Sequence, residues 1–238
     1  MKLTRYGKKE WGLASVIALI LLALSVSHAV FFSSFHAGLY LSILIVVFWI
    51  AFAGFFRDPN RRIPENNDLL LSPADGLVKD IELIRAADEP RLAELFEGHD
   101  MLRIGIFLSV FNVHINRAPT DMQVKLKDHK DGCYHDARDA RAIRENESLL
   151  LAGIANMNGT EFPIAVKQIS GAIARRIVCE AEPGTSLKRG EQYGMIKFGS
   201  RTEIYLPAQN QLDIKISVGD KVQGGLSILA QLKSSKQS

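Results

Sequence analysis

Two uncharged apolar runs open the chain, and short alternating runs fill the remainder. Gly12–Phe32 and Leu39–Phe56 contain no Asp, Glu, Lys or Arg. At ~1.5 Å per residue a helix of about 20 residues crosses a hydrocarbon core of roughly 30 Å. Only Ser33–Gly38 lies between the runs, a linker that predicts a helical hairpin returning to the side it left. Lys2, Arg5, Lys8 and Lys9 precede the first run, and Arg57, Arg61 and Arg62 follow the second. Positive charge at both outer ends places both on the cytoplasmic face. Trp11 and Trp49 are expected interface anchors. A cleaved signal peptide fits less well, because a second apolar run follows at once and no small-residue cleavage site separates the two.

Beyond Arg57 the pattern changes. Pro59, Pro64 and Pro73 with Asn60, Asn66 and Asn67 mark a loop-rich exit. Strand-like runs follow at Leu69–Leu71, Leu77–Ile84, Leu102–Leu108 and Gln123–Leu126. They resume at Phe162–Ile169, Ala172–Cys179, Gly194–Phe198, Thr202–Leu206, Leu212–Ser217 and Ser227–Leu232. Leu102, Ile104, Ile106 and Leu108 alternate, as do Thr202, Ile204 and Leu206, the signature of half-buried strands. Pro90–Phe96 predicts a short helix, and Asp136–Glu147 a polar helical or irregular segment. Gly199-Ser200 reads as a turn between two strands. The expectation is a mainly β (α+β) domain over residues 57–238, a barrel or sandwich, behind a hydrophobic helical hairpin over residues 1–56.

Composition adds exclusions. The 238 residues suit one domain with an appendage. Lys+Arg exceed Asp+Glu by 29 − 26 = 3, too small an excess to argue for a nucleic-acid partner. Cys133 and Cys179 form no disulfide framework and read as thiols of a reducing compartment. No metal site is expected, since no second Cys or His pair stands at ligand spacing.

Three places could carry chemistry. Asp75 lies in Ser72-Pro-Ala-Asp-Gly76, where an Asx turn is the simplest role. His114 and Asn116 lie in Phe111-Asn-Val-His-Ile-Asn-Arg-Ala-Pro119, on one face if that segment is extended. Ser200 follows Gly199. A serine, a histidine and an aspartate scattered along a chain prove nothing by themselves. The tail from Ile214 to Leu229 and the segment Ser72–Val78 resemble the closing and opening halves of a biotinyl/lipoyl-type hammerhead, although no lysine stands at the tip between them.

Taken in order, Phe55-Phe-Arg-Asp-Pro-Asn-Arg-Arg-Ile-Pro64, Ser72-Pro-Ala-Asp-Gly76, Phe111–Pro119 and Gly194-Met-Ile-Lys-Phe-Gly-Ser-Arg201 resemble the phosphatidylserine decarboxylases in their short bacterial form. Asn146-Glu147 matches a further short block, and the likeness covers Phe55–Leu232. The resemblance implies a proenzyme that cuts itself between Gly199 and Ser200. The products would be a β chain, Met1–Gly199, and an α chain, Ser200–Ser238, whose first residue becomes a pyruvoyl group. That covalent cofactor would form a Schiff base with the serine head group and release phosphatidylethanolamine after decarboxylation.

The resemblance further implies that His114, with Asp75, draws the proton of Ser200, and that His114 later acts as proton donor. Arg117 or Lys197 would hold the lipid phosphate, with Asn116 counted among the substrate-contacting residues. Members of the longer form carry a second histidine where Arg117 stands here; His129 and His135 are spare histidines expected in loops. The implied setting is the cytoplasmic face of the inner membrane, with a bilayer phospholipid as substrate and a homodimer left open. Two rivals are a decarboxylase of another serine-bearing lipid, such as an ether-linked archaeal one, and a non-enzymatic membrane-anchored hammerhead adaptor.

Overall fold

The computed structural model describes residues 2–32, 35–136, 139, 141–171, 176–197, 200–208 and 212–233. It divides into two compact units, Met1–Pro59 and Asn60–Ser238.

The first unit is a helical pair, α1 (Lys8–Phe31) and α2 (Phe35–Phe55). Both are long and apolar enough to cross a membrane, and little of either is buried. Leu19, Phe31, Phe48 and their neighbours stay exposed, the composition of a surface that faces hydrocarbon rather than water. Small residues line the seam between the helices. Ser25 Oγ donates to the Gly38 carbonyl at 2.9 Å, and Ser42 Oγ to Ser25 Oγ at 3.1 Å. Trp49 is turned into the hairpin, its indole N–H on Ser15 Oγ at 3.0 Å, and Trp11 donates to the Thr4 carbonyl at 3.0 Å. Both outer ends meet, since Leu3 and Arg57 form an antiparallel bridge.

In the second unit the strands are β1 (Leu69–Leu71), β2 (Gly76–Ile84), β3 (Met101–Leu108), β4 (Ile115–Arg117), β5 (Asp121–Lys130), β6 (Ser148–Met157) and β7 (Thr160–Ser170). They continue as β8 (Ile177–Cys179), β9 (Ser186–Leu187), β10 (Gln192–Ile196), β11 (Ser200–Pro207), β12 (Leu212–Ile214), β13 (Lys221–Val222) and β14 (Ile228–Leu232). The main sheet runs β13-β2-β3-β11-β7-β6-β5-β9, and two three-stranded sheets run β1-β14-β12 and β4-β10-β8. The unit is thus mainly β, as the pattern predicts. Pro90–Ala93 and Ala142–Glu145 are single helical turns.

Two differences from the sequence reading have physical causes. β6 goes unseen in Ser-Leu-Leu-Leu-Ala-Gly-Ile-Ala-Asn-Met because it is buried on both faces, so apolar residues do not alternate with polar ones. The run at Gly194 and the run at Thr202 do not pair with each other. β10 joins β4 and β8, while β11 is inserted between β3 and β7. Ser200 is accordingly the first residue of a strand, and Gly199 lies outside the described residues.

β11 is central, and its two faces divide the interior. Ile204 and Leu206 pack with Ile104, Ile106, Leu108 and Val166 in the larger core. Tyr205 points the other way, into a smaller cluster with Met101, Leu150, Ala152, Ala165, Leu92 and Phe96.

Candidate active site

Ser200 begins β11 opposite Leu108 of β3 and Ser170 of β7, and it is fully buried. His114, also fully buried, stands just before β4, where its carbonyl accepts from Ile196 N–H at 3.2 Å. The two side chains meet with Ser200 Oγ 3.4 Å from His114 Nδ1.

The other ring nitrogen decides what Nδ1 can do. His114 Nε2 lies 3.0 Å from the Ser109 carbonyl, which can only accept, so in the neutral ring Nε2 carries the proton and Nδ1 is left to present its lone pair to Ser200. The carbonyl is held in place by a small turn. Asn112 N–H donates to it at 2.9 Å, and Asn112 Oδ1 accepts from both Ser109 N–H and Ser109 Oγ at 2.8 Å. Ser109 and Asn112 were not singled out from the sequence; a backbone acceptor leaves no residue-type signal.

Asp75 is placed elsewhere. Its oxygens take Arg61 Nη1 at 2.6 Å and Nη2 at 2.8 Å, a two-pronged pair with both side chains buried, and its Oδ1 also accepts from Gly224 N–H at 2.8 Å. Arg61 Nη1 donates to the Gly224 carbonyl as well. The structure therefore brings Ser200 and His114 together and ties Asp75 to Arg61. In the sequence Arg61 stands out as one of several positive charges and as a member of the Phe55–Pro64 motif, with no sign of its partner.

Asn116, two residues after His114, bonds to β11 two residues beyond Ser200. Its Nδ2 donates to Thr202 Oγ1 at 3.0 Å, and its Oδ1 accepts from Gln168 Nε2 at 2.8 Å. Arg117 is buried and donates from Nη1 to the Gly190 carbonyl at 2.9 Å. Lys197 is buried, its N–H on the Arg176 carbonyl at 3.2 Å. His129 lies in β5 rather than a loop and meets Glu147 at 3.1 Å; His135 meets Glu145 at 2.8 Å. Asn146 clamps the end of β7, donating to the Ser170 carbonyl at 2.7 Å while Glu147 O accepts from Ser170 N–H at 2.9 Å.

Arg201 alternates to the opposite face of β11. Its guanidinium holds Glu203 at 2.8 Å and Asp80 at 2.7 Å, and Tyr205 O–H donates to Glu203 at 2.7 Å. Burial works to raise Asp80, but hydrogen bonds and charge from Arg201 and Arg103 outweigh it and hold the carboxyl below its usual range. Gly105 makes room for this network, because a Cβ there would collide with the Arg201 guanidinium.

A family model described as phosphatidylserine decarboxylase matches residues 48–230. Several curated proteins named phosphatidylserine decarboxylase proenzyme are similar to the chain. That of Wolbachia pipientis wMel is 43% identical over 178 residues, covering 75% of this chain and 74% of its own. That of Geotalea daltonii is 41% identical over 186 residues, covering 78% and 80%. That of Desulfotalea psychrophila is 38% identical over 210 residues, covering 87% and 92%.

Proposed function

The chain belongs to the phosphatidylserine decarboxylase family, and from that premise we propose that it is a self-cleaving proenzyme whose mature form decarboxylates phosphatidylserine to phosphatidylethanolamine. The hammerhead-adaptor alternative falls with the family assignment. The observation that carries the reading is the buried Ser200–His114 pair with its tautomer set by Ser109.

In self-cleavage His114 Nδ1 takes the Ser200 hydroxyl proton. At 3.4 Å the pair must close by a few tenths of an ångström, which is ordinary for a resting site. The oxygen attacks the Gly199 carbonyl carbon, a C–O bond forms, and the Gly199–Ser200 C–N bond breaks as His114 Nδ1 passes the proton on to the departing nitrogen. Loss of the Ser200 α-proton with departure of the Gly199 carboxylate leaves dehydroalanine. Water then replaces nitrogen, ammonia leaves, and a pyruvoyl group heads the α chain, residues 200–238, while residues 1–199 form the β chain. Full burial of Ser200 keeps water from intercepting the ester. A pyruvoyl group at residue 200 would supply an electrophilic carbonyl for the substrate amine and an electron sink for the decarboxylation.

The rest falls to side chains. His114 Nδ1, once protonated, is the donor that returns a proton to the decarboxylated carbon. Arg117, which keeps part of its fork on Gly190, and Lys197 are the cations offered to the lipid phosphate. The two apolar helices suit an enzyme that works at a bilayer, and the basic residues flanking them support a cytoplasmic setting for the catalytic unit.

Denaturing mass spectrometry of the purified protein tests the proposal. Two chains are expected, the smaller beginning at residue 200 and lacking a free amine. A single intact chain in an active preparation sinks it. His114→Ala should remain one chain; full maturation of that variant without turnover would remove His114 from self-cleavage.

A further inference from the structure

β7 ends in two polar residues with unused capacity. Gln168 and Ser170 share the inner face of the strand, opposite Thr202 and Ser200 respectively, and both are fully buried. Among the described residues neither Gln168 Oε1 nor Ser170 Oγ has a hydrogen-bond partner. A buried polar atom left without a partner costs roughly 1–3 kcal/mol, so two side by side at one position call for a reason. They are not free to swing away. Gln168 Nε2 is fixed on Asn116 Oδ1 at 2.8 Å, and Asn116 is itself oriented by its Nδ2, which points to the Pro73 carbonyl at 3.5 Å, a group that only accepts, so that its oxygen faces Gln168 Nε2. The Ser170 backbone is held on both sides by Asn146 and Glu147.

The chemistry of the pair selects a ligand group. Gln168 Oε1 can only accept, and a serine hydroxyl accepts readily. A carboxylate or phosphate has no hydrogen to give to Oε1. A primary amine has several. A donor aimed at the carboxylate would also stabilise the very group that must leave, which slows the reaction rather than speeding it. Register places Ser170 directly across from Ser200, where facing side chains on antiparallel strands lie about 5 Å apart.

We propose that Gln168 Oε1 and Ser170 Oγ are the amine-recognition pair of the mature site, receiving N–H groups of the substrate's primary amine and setting its nitrogen against residue 200. The assignment rests on the decarboxylase reading above. It explains why the precursor buries two acceptors unpaired: their partner arrives with the substrate.

The test compares wild type, Ser170→Ala and Gln168→Met, using dihexanoyl phosphatidylserine. Denaturing mass spectrometry reports the extent of cleavage. Cyanoborohydride treatment at subsaturating lipid reports the fraction of small chain carrying reduced adduct. All three proteins should yield two chains, and KM should rise about tenfold or more in each variant, the worth of a hydrogen bond to a charged group. The adduct fraction should fall in parallel. Ser170→Ala should melt no lower than wild type, since its hydroxyl has no partner to lose. Variants that cleave normally and match wild type in KM and adduct yield overturn the pair. Variants that stay uncleaved assign it to self-processing instead, which overturns it equally. A wild type that stays one chain fails earlier, at the decarboxylase reading itself.

Discussion

Asp75 carries one negative charge, and Arg61 takes both of its oxygens. The pair joins the segment leaving the helical hairpin to a turn, and through Gly224 to the last part of the chain. Removing one member of a buried ion pair strands the other, at roughly 3–5 kcal/mol. Arg61→Met and Asp75→Ala should each lower stability by about that amount, and the double variant by clearly less than the sum. Asp75→Asn separates two roles. If Ser109 alone sets the His114 tautomer, Asp75→Asn still cleaves itself, with reduced melting temperature as its main defect. If Asp75 orients His114 in the precursor, the rate of appearance of the small chain should fall by more than a hundredfold, which time-resolved gel analysis would show.

At the scale of elements, β11 places chemistry on one face and charge on the other. Tyr205 on the charged face has its phenol pushed well above the usual tyrosine range, by burial first and by Glu203's charge next. The unfolded chain ionises near pH 10 while the folded one does not. The stability this group contributes is therefore whole below pH 10 and is lost as pH climbs toward the folded value. Tyr205→Phe should flatten that alkaline decline in a melting-temperature series. It should also melt lower at pH 7, because Glu203 Oε2 loses its donor.

The alternation that predicts β11 was legible in Thr202, Ile204 and Leu206, as were the two apolar helices and the Gly-Ser position. What was not legible depends on distance along the chain. Nothing local says that β10 and β11 enter different sheets, that Gly224 bonds to Asp75 across 149 residues, or that a carbonyl at Ser109 faces His114. β6 stayed hidden because burial on both faces erases the period on which a strand is recognised.

For the molecule as a whole, cutting before Ser200 would divide the second unit without dividing its core. β11 to β14 would all fall in the small chain, and each pairs with strands on the other side of the cut or with one that does. β11 is bonded along its length to β3 and along most of it to β7, β13 pairs with β2, and β14 joins β1 to β12. Ile204, Leu206, Leu229 and Ala230 lie in the same core as Ile104, Ile106 and Val166. Apart from the Ser200 N–H, which leaves with the ammonia, the ladder hydrogen bonds and apolar contacts that hold the small chain would survive the cut. The two chains should therefore elute as one species from a gel-filtration column in mild detergent, and separate only in sodium dodecyl sulfate or strong denaturant. Refolding from denaturant should be far less efficient for the cleaved pair than for uncut Ser200→Ala, because a central strand would have to find its place between β3 and β7 from a second molecule. Equal recovery of the two would show that β11 docks late and is not needed to order its neighbours.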